Sequence, residues 1–391
     1  MPWKEVRPMD QKVLFISDWL RGALSFTELC QRYGISRKTG YKWTKRYQSL
    51  GIDGLGEQAR RPHDSPLKIP YRIRKAIVTL RTKQRITPGA KKIQVLLAQQ
   101  FSDDLIPSQT TIYRILHSEG LVKKRKHRQR VAPFPQPFAP VDQSNQLWSV
   151  DFKGQFKVGS GQWCYPLTVM DHHCRYLLCC YGQSNVALDD TKEAFVRVFK
   201  EYGLPQRIRS DNGVPFASRA VGGLSRLSAW WVRLGICPER IEPGKPQQNG
   251  RHERMHRTLK QAVAQPPAHS MRSQQSRFNQ FQKEYNEQRP HEALSQNTPD
   301  SLYRASNRAF PSKLPELTYP DHFEVKKVRQ SGVLYWNNGQ LYVSHILQGD
   351  WVGMEEVDDG VWDLYYGPVR LGGFDVRQCK VGAVPYWTLK M

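Results

Sequence analysis

Three carboxylates occupy positions that usually favour other residue types. Asp151 lies inside the run WSVDF, where a strand interior would favour an apolar residue, and Asp211 follows the strand-like segment QRIRS at the start of a turn. Glu253 is the one acidic residue in the basic stretch KPQQNGRHERMHRTLK. In open α/β sheets, ligands collect beyond the carboxyl ends of strands, so acids in a strand, at a strand end and on a covering helix can converge. We predict that these three do.

Converging carboxylates predict a metal. Three in one place repel one another, and at least one would take up a proton unless a cation offsets the charge. Mg²⁺ prefers oxygen ligands and is usually held by one or two carboxylates together with substrate phosphate. Two such ions about 4 Å apart can activate an attacking oxygen and stabilise a leaving oxygen in phosphodiester displacement. The residues therefore indicate two Mg²⁺ ions and chemistry on a phosphodiester.

Each acid also has an ordinary interpretation. Asp211 can be only a turn residue, Asp151 only a strand-edge residue, and Glu253 only a salt-bridge partner of Arg257 four residues on. A second cluster, DHHCRYLLCC, suggests zinc. Zinc sites need ligands at defined spacings on turns, and adjacent strand residues point to opposite faces, so a hairpin turn before a buried strand is the favoured interpretation there.

The charge of the chain predicts a polyanionic partner. The 391 residues carry 59 Lys and Arg against 35 Asp and Glu, a net charge of +24. Residues 1–140 hold 28 of the basic and 10 of the acidic residues, and so contribute +18. A membrane surface is the rival partner, but we find no apolar run of transmembrane length and no signal peptide. The asymmetry therefore favours nucleic acid bound mainly through the N-terminal third.

The cysteine pattern and the lack of a phosphate-binding motif narrow the range of possible functions. The seven cysteines are odd in number and scattered, which is not a disulfide framework and fits a reducing compartment. No phosphate-cradling P-loop occurs, so ATP is not expected as a cofactor. With no targeting segment, we expect a cytoplasmic protein for which DNA is directly accessible.

The N-terminal third predicts two helix-turn-helix units. A break at Gly34 is followed by a helix with Ser36 as its N-cap, and a second group of three short helices ends at Gly120. A helical hairpin with merely solvated charges stays open for either unit alone, and the repetition favours DNA binding. The residues expected to contact DNA from these units are Ser36, Arg37, Lys38, Thr39, Lys42, Gln109, Thr110 and Arg114.

Changes in amino-acid composition and hydrophobic pattern along the chain predict five segments. They are two helix-turn-helix DNA-binding domains (1–60 and 61–122), a basic and proline-rich linker (123–143), a mixed α/β core (144–310) and a small all-β barrel (311–391) with a hairpin turn at Asn338 and Gly339. In the linker, a run of basic residues is expected along phosphates or in the minor groove. Its members are Lys123, Lys124, Arg125, Lys126 and Arg128.

Four segments, in order, resemble one protein family. WSVDFKG, RSDNGVPFAS, PGKPQQNGRHERMHRTLK and YNEQRPHEALSQNTPDSLY resemble successive blocks of the bacterial insertion-sequence DDE transposases, which are related to the retroviral integrases. The resemblance covers most of residues 1–310. It implies an RNase H-like catalytic core, a catalytic and metal-binding triad at Asp151, Asp211 and Glu253, Mg²⁺ with Mn²⁺ as a substitute, and homo-oligomers, dimeric or higher, on paired element ends. It also implies a prokaryotic, nucleoid-associated protein.

The resemblance extends to residues around Glu253 and has two departures. Arg257 and Lys260 look like integrase positions that touch DNA near the active site, with Lys245 and Asn249 as weaker candidates. The 41 residues between Asp211 and Glu253 exceed the compact form of the family. The zinc-binding His and Cys pairs of retroviral integrases are absent from the N-terminal part, where helix-turn-helix units stand instead.

The sequence therefore predicts a DNA transposase. It would bind the terminal inverted repeats of its own element, cleave the DNA there and transfer the strand to target DNA, with the barrel contributing DNA or subunit contacts. Two rivals remain: a non-catalytic DNA-binding regulator, and a structure-selective nuclease that cuts but never joins. The complete triad argues against the first rival, and the paired helix-turn-helix units argue against the second.

Overall fold

The computed structural model describes residues 8–57, 69–83, 86–122, 140–218, 220–242, 244–378 and 386–389. The chain separates into two compact units, Met1–Lys68 and Ile69–Met391. The basic linker residues Lys123 to Arg128 lie outside the described residues.

The first unit is a bundle of three helices around a small aromatic core. Its helices are α1 (Pro8–Arg21), α2 (Phe26–Arg32) and α3 (Arg37–Leu50). The predicted N-cap is confirmed: Ser36 Oγ accepts a hydrogen bond of 3.2 Å from the Thr39 amide. Phe15, Leu29 and Trp43 are buried between the helices. This core holds α3 with its basic face outward.

A second group of three helices opens the larger unit. It comprises α4 (Tyr71–Lys83), α5 (Ala90–Ala98) and α6 (Gln109–Ser118). Isoleucine and leucine side chains form its core, among them Ile77, Ile93 and Ile112. Helix α6 begins like α3, because Ser108 Oγ accepts a bond of 3.3 Å from the Thr111 amide. The repeated helix-turn-helix pattern in the sequence therefore corresponds to the same serine N-cap at α3 and α6.

The centre of the larger unit is a six-stranded mixed sheet. Its strands are β1 (Leu147–Phe152), β2 (Phe156–Lys157), β3 (Trp163–Asp171), β4 (Leu177–Gln183), β5 (Arg207–Ser210) and β6 (Cys237–Arg240). The five longer strands lie in the order β4-β3-β1-β5-β6, with β3 antiparallel to both neighbours and β1, β5 and β6 parallel. Counted along the chain this order is 3-2-1-4-5, which is the RNase H-like topology that the resemblance implies.

Helices cover both faces of this sheet. They are α7 (Leu188–Tyr202), α8 (Arg226–Arg233), α9 (Gly250–Leu259), α10 (Met271–Lys283) and α11 (Pro299–Leu302). Side chains such as Trp148 and Val150 of β1 pack with Phe195 of α7 and Trp231 of α8. On the opposite face, residues such as Met255 of α9 pack with α10. Alternation along β1 therefore turns Ser149 and Asp151 toward the α9 side.

The C-terminal strands form two sheets on a shared core. The strands are β7 (Glu324–Lys327), β8 (Val333–Trp336), β9 (Gly339–Tyr342), β10 (Trp351–Asp358), β11 (Val361–Tyr366), β12 (Val369–Asp375) and β13 (Tyr386–Thr388). Their orders are β12-β11-β10-β7 and β13-β9-β8, so the predicted barrel is observed as two sheets among the described residues. The hairpin turn between β8 and β9 lies one residue earlier than predicted, at Asn337 and Asn338, whose φ angles are 43° and 58°. Asparagine tolerates this left-handed backbone, and Gly339 begins the next strand.

Candidate active site

The two aspartates lie at the ends of neighbouring parallel strands. In the β1–β5 pair, Ser149 is opposite Arg209. This is the last pair of the two strands; extending the same register by two residues places Asp151 opposite Asp211, which lies one residue beyond the end of β5. Adjacent strands are about 4.8 Å apart, and alternate residues share a face. The sheet therefore aligns both carboxylates at its carboxyl-terminal edge, on the side that faces α9.

Local contacts fix each aspartate differently. The Asp211 carboxylate accepts a hydrogen bond of 3.1 Å from the Gly213 amide, which closes the turn after β5. Asp151 Oδ2 lies 3.6 Å from Nδ1 of His256, a buried residue of α9. Both aspartates are half-buried, so each is open to solvent on one side.

Helix α9 presents its acid from the edge of an otherwise buried face. His252, Met255, His256 and Leu259 are buried at the spacing expected for one side of a helix. Glu253, beside this face, is exposed. The turn before the helix is tied to the sheet edge, because the Gln248 side chain exchanges two hydrogen bonds, of 2.8 and 2.9 Å, with Glu242. The helix start is therefore held while the Glu253 carboxylate stays in solvent.

The carboxylates interact electrostatically. Burial, followed by repulsion from Asp211 and more weakly from Glu253, raises the pKa of Asp151 to about 7 from its ordinary value of 3.8. A carboxylate that gains a proton near neutral pH, against acidic neighbours, is the donor type that a divalent cation stabilises. Oxygen donors of this kind suit Mg²⁺.

The geometry fits this cation only in part. Among the described residues, no group of three or more His, Cys, Asp or Glu side chains is close enough to hold a metal ion. The two aspartates are aligned by the strand register, but the three carboxylates do not form one cluster. Holding an ion with all three requires at least one side chain to move closer.

A buried polar network that the sequence analysis missed joins α9 to the sheet. Thr168 Oγ1 of β3 donates to the Asp151 carbonyl at 2.9 Å, because a carbonyl can only accept. The same oxygen lies 2.7 Å from Nε2 of both His252 and His256, so both imidazoles must donate to it. His252 Nδ1 then accepts from Ser149 Oγ at 2.8 Å. Thr168 Oγ1 thus takes part in three hydrogen bonds, which connect α9 to β1 and β3.

Burial keeps these imidazoles neutral. It lowers the pKa of His252 to about 3 and moves the pKa of His256 far below its usual range, with His252 and Lys153 adding to the second effect. The only sequence signal for the network is the placement of two histidines four residues apart on the apolar stripe of α9. Their partner Thr168 is 84 residues from His252 in the chain, and no local pattern points to it.

The predicted DNA contacts around Glu253 fall in different environments. Arg257 and Lys260 are exposed on the same flank of α9 as Glu253. Lys245 forms an ion pair with Glu242. Asn249 is buried, and its Oδ1 has no hydrogen-bond partner among the described residues. Asn249 can therefore reach DNA only if this turn rearranges.

The predicted contacts on the helix-turn-helix units lie at the starts of α3 and α6. Ser36, Arg37, Lys38 and Lys42 are exposed. Thr39 is half-buried, and its hydroxyl lies 3.0 Å from that of Ser36. On α6 the members are Gln109, Thr110 and Arg114, and all three are exposed. Each set occupies one accessible helix face, but the two faces carry different numbers of charges.

Comparisons with known families identify domains along the chain. Models of the Integrase core domain family match residues 141–246 and 234–299, which together include both aspartates and Glu253. A Helix-turn-helix domain matches residues 11–63 and a Homeodomain-like domain residues 39–116. The chain therefore carries an integrase core domain over residues 141–299. It is a polynucleotidyl transferase with an integrase core of a metal-dependent family, preceded by DNA-binding helical domains.

Relatives of this chain include two insertion-element proteins. The insertion element IS407 uncharacterized 31.7 kDa protein of Burkholderia multivorans is 28% identical over 200 residues, 51% of this chain and 69% of the relative. The insertion element IS476 uncharacterized 39.2 kDa protein of Xanthomonas euvesicatoria is 25% identical over 300 residues, 74% of this chain and 81% of the relative. A solved HTLV-2 integrase catalytic core domain in complex with magnesium is 15% identical, covers 41% of this chain and 98% of that chain, and has a TM-score of 0.33. The assignment rests on the matched sequence domains.

Within the described ranges, no helix combines the length and the apolarity needed to cross a bilayer.

Proposed function

We propose that this protein is the transposase of a mobile element. It binds the terminal inverted repeats of that element, cleaves DNA at the element end and joins the freed 3′-hydroxyl to target DNA. The observation that carries the proposal is the alignment of Asp151 and Asp211 at one sheet edge, with Glu253 on the helix packed over it. The insertion-element origin of the two bacterial relatives supports the same activity.

Asp151, Asp211 and Glu253 are the proposed ligands of two Mg²⁺ ions, with Mn²⁺ as a substitute. When bound, the ions would activate the attacking oxygen and stabilise the leaving oxygen of the phosphodiester. The chain's own part is to hold the acids in place: Thr168 ties the β1 backbone at Asp151 to both histidines of α9. Because Glu253 is exposed and the carboxylates are not yet clustered, closing the site brings this side chain toward the aspartates.

Substrate binding is assigned to the basic surfaces. Arg257 and Lys260, on the flank of Glu253, would hold the phosphates next to the reacting bond. The exposed starts of α3 and α6 would contact the terminal repeats, with the linker over 123–143 following the backbone between domains. The segment boundaries 1–60, 61–122, 144–310 and 311–391 are proposed as functional domains. Pairing of two element ends would require a dimer or a larger homo-oligomer in the cytoplasm, at the nucleoid.

The test is an end-joining assay with purified protein, Mg²⁺ and a labelled fragment that carries the element end. Wild-type protein should nick the end and produce joined products. Asp151→Asn, Asp211→Asn and Glu253→Gln should each abolish both steps while DNA binding persists. The matched control is Asp189→Asn, an exposed aspartate on α7 across the sheet, which should join ends normally.

The same assay separates the rivals. A non-catalytic regulator would bind the end sequence without metal-dependent nicking by any variant. A structure-selective nuclease would nick but yield no joined product. Joining that survives in all three triad variants would refute the assignment of the triad.

A further inference from the structure

Helix α9 has two solvent-facing flanks, and the proposed reaction uses one. Glu253, Arg257 and Lys260 follow one another at helical spacing on the first flank. Arg251 and Arg254 lie on the other side of the buried stripe, since successive residues turn by 100°. Arg254 is exposed and Arg251 is half-buried. This second flank has no part in holding the acids.

The second flank lies against the turn between β3 and β4. Arg251 Nη1 donates to the His172 carbonyl in that turn at 2.9 Å. Arg254, one helical turn further along, therefore lies beside the same segment, which also carries Arg175. Arg175 has a φ of 65°, a backbone conformation that is uncommon for a non-glycine residue. Its Nε is buried and has no hydrogen-bond partner among the described residues.

The end of α10 brings a further arginine to this place. The Asn286 side chain bonds both the amide and the carbonyl of Leu177, at 2.8 and 3.0 Å, two residues after Arg175. Arg289, just past this point, is half-buried. Burial raises the pKa of the neighbouring Tyr285 hydroxyl. The positive charges of Arg289, Arg175 and Arg254 lower it, with Arg289 having the largest effect and Arg254 the smallest. All three guanidinium groups therefore act electrostatically on one phenol.

A lysine from the second helical group completes the cluster. Lys92 of α5 lines a small cavity together with Arg289 and Glu284. Burial, and then repulsion from Arg289, lowers the pKa of Lys92 to about 8. The neighbouring Lys91 forms an ion pair with Glu292, whose Oε1 lies 2.7 Å from the lysine Nζ. The basic cluster, defined as Lys92, Arg175, Arg254 and Arg289, therefore includes residues of both α5 and α9.

The basic cluster has an unbalanced charge. Among the described residues, none of its four members forms an ion pair with a carboxylate. Glu292 is engaged by Lys91. Glu284, which lines the cavity beside Lys92 and Arg289, accepts from Gln280 at 2.8 Å through one oxygen, and its other oxygen has no hydrogen-bond partner among the described residues. Three of the four cations are half-buried, and the neighbouring carboxylates leave the cluster with a net positive charge, which lowers the stability of the fold unless an anion binds. Arginine groups in particular match the geometry of phosphate oxygens.

We propose that the basic cluster is a second phosphate-binding site, which holds the backbone of a DNA segment on the flank of α9 away from Glu253. The inference rests on the proposed function, in which DNA is the substrate. It adds a contact that spans the second helical group and the catalytic core. DNA bound by the helical group would then be fixed relative to the helix that carries the acid.

The experiment measures binding of a duplex of mixed sequence by fluorescence anisotropy over a series of salt concentrations, without metal. Such binding is driven by phosphate contacts and needs no knowledge of the element ends. Arg175→Gln and Arg254→Gln should each weaken binding severalfold and reduce the slope of log K against log salt by about 0.9 per lost contact. Arg254→Lys, which keeps the charge, should retain most of the slope. The matched control is Lys200→Gln on α7, across the sheet, which should leave the slope unchanged.

Each outcome decides the proposal. Unchanged slopes for Arg175→Gln and Arg254→Gln, in variants with wild-type thermal unfolding, would overturn it. Inorganic phosphate is titrated in parallel, and binding of phosphate that depends on Arg254, together with an unchanged DNA slope, would also overturn it in favour of a free-anion site. A reduced slope supports the phosphate-binding site even if wild-type protein fails to join DNA ends. In that case the proposed transposase function would be refuted and the phosphate-binding site would stand.

Discussion

Helices α3 and α9 are both short and basic, yet they differ in what they bury. Helix α3 places Gly40, Trp43 and Thr44 inward, against an aromatic core in which Gly40 packs close to Cys30. Helix α9 places two histidines inward and hydrogen-bonds them to the sheet. Only α9 carries an acid.

The difference follows from what each helix has to position. A helix that binds phosphate works through charge on its exposed face, and apolar packing is enough to hold that face outward. A helix that brings a carboxylate to a metal must be located to a fraction of an ångström relative to the strands. Hydrogen bonds of 2.7 to 2.9 Å around Thr168 restrict rotation and sliding of α9 in a way that apolar contacts do not.

The largest expected effect is the loss of end joining when the acid of α9 is replaced, which would distinguish the catalytic helix α9 from the DNA-binding helix α3. Glu253→Gln keeps the shape of the side chain but removes a proposed metal ligand. The rate of end joining should therefore fall by more than the roughly 10- to 100-fold typical of losing a residue that only hydrogen-bonds to a metal ligand. DNA binding should be equal or slightly tighter, because one negative charge near phosphate is lost. The assays are strand transfer and anisotropy, with the exposed Glu287→Gln as the control. Equal losses of joining and binding would mean that α9 is only another binding helix.

The next effect tests the buried network. Thr168→Val removes the hydroxyl that two imidazole N–H groups share, leaving both donors buried at a cost of about 1–3 kcal/mol each. Because the network positions Asp151 and α9, Mn²⁺ affinity should fall about 10- to 100-fold. Calorimetric metal titration and urea unfolding measure the two quantities. Thr168→Ser, which keeps the hydroxyl, should restore most of both. If the valine variant binds Mn²⁺ as wild type does, the network has no positioning role.

Much of the catalytic edge could be predicted from the sequence, for physical reasons. An aspartate in an apolar run and another at the end of a strand converge because parallel neighbours end at the same sheet edge. The Ser36 cap was predictable because a cap is local, with donor and acceptor three residues apart. The resemblance supplied the pairing of these elements, and the strand order confirms the fold that it implies.

What escaped prediction depends on contacts between distant residues. Thr168 is an unremarkable strand residue until the fold brings α9 over it, and the basic cluster draws its members from four separate segments. The resemblance implied Asn249 as a weaker DNA contact, whereas its burial depends on how the turn before α9 meets the sheet. The shift of the β8–β9 turn to Asn337 and Asn338 is a smaller case, because either pair suits a left-handed turn and strand register decides.

A third effect concerns pH and distinguishes the catalytic edge from the binding helices. The folded protein binds a proton at Asp151 with a pKa of about 7, above the ordinary value of 3.8, so between these values the folded state holds more proton than the unfolded state. The free energy of unfolding contributed by this group therefore falls as pH rises from 4 to 7, by at most about 1.4 kcal/mol per pH unit. Asp151→Asn should remove this slope and be more stable than wild type above pH 7 in EDTA.

The measurement for Asp151 is urea unfolding of both proteins at pH 5, 6, 7 and 8. Addition of Mg²⁺ at pH 8 should stabilise the wild-type protein and leave Asp151→Asn nearly unchanged, since a bound cation offsets the repulsion from Asp211. Parallel pH profiles for the two proteins would show that Asp151 does not titrate in this range.

The smallest expected effect belongs to α3, where charge acts without precise placement. Lys42 is exposed, with its Nζ 4.4 Å from the centre of the Trp43 ring. Lys42→Gln should reduce the slope of log K against log salt by about 0.9 and weaken DNA binding severalfold. Lys42→Arg should bind like wild type, because any cation at this exposed position can neutralise a phosphate, whereas no substitution is expected to replace Glu253. Loss of binding in Lys42→Arg would show instead that α3 reads DNA through one fixed geometry, and the contrast between the two helices would fail.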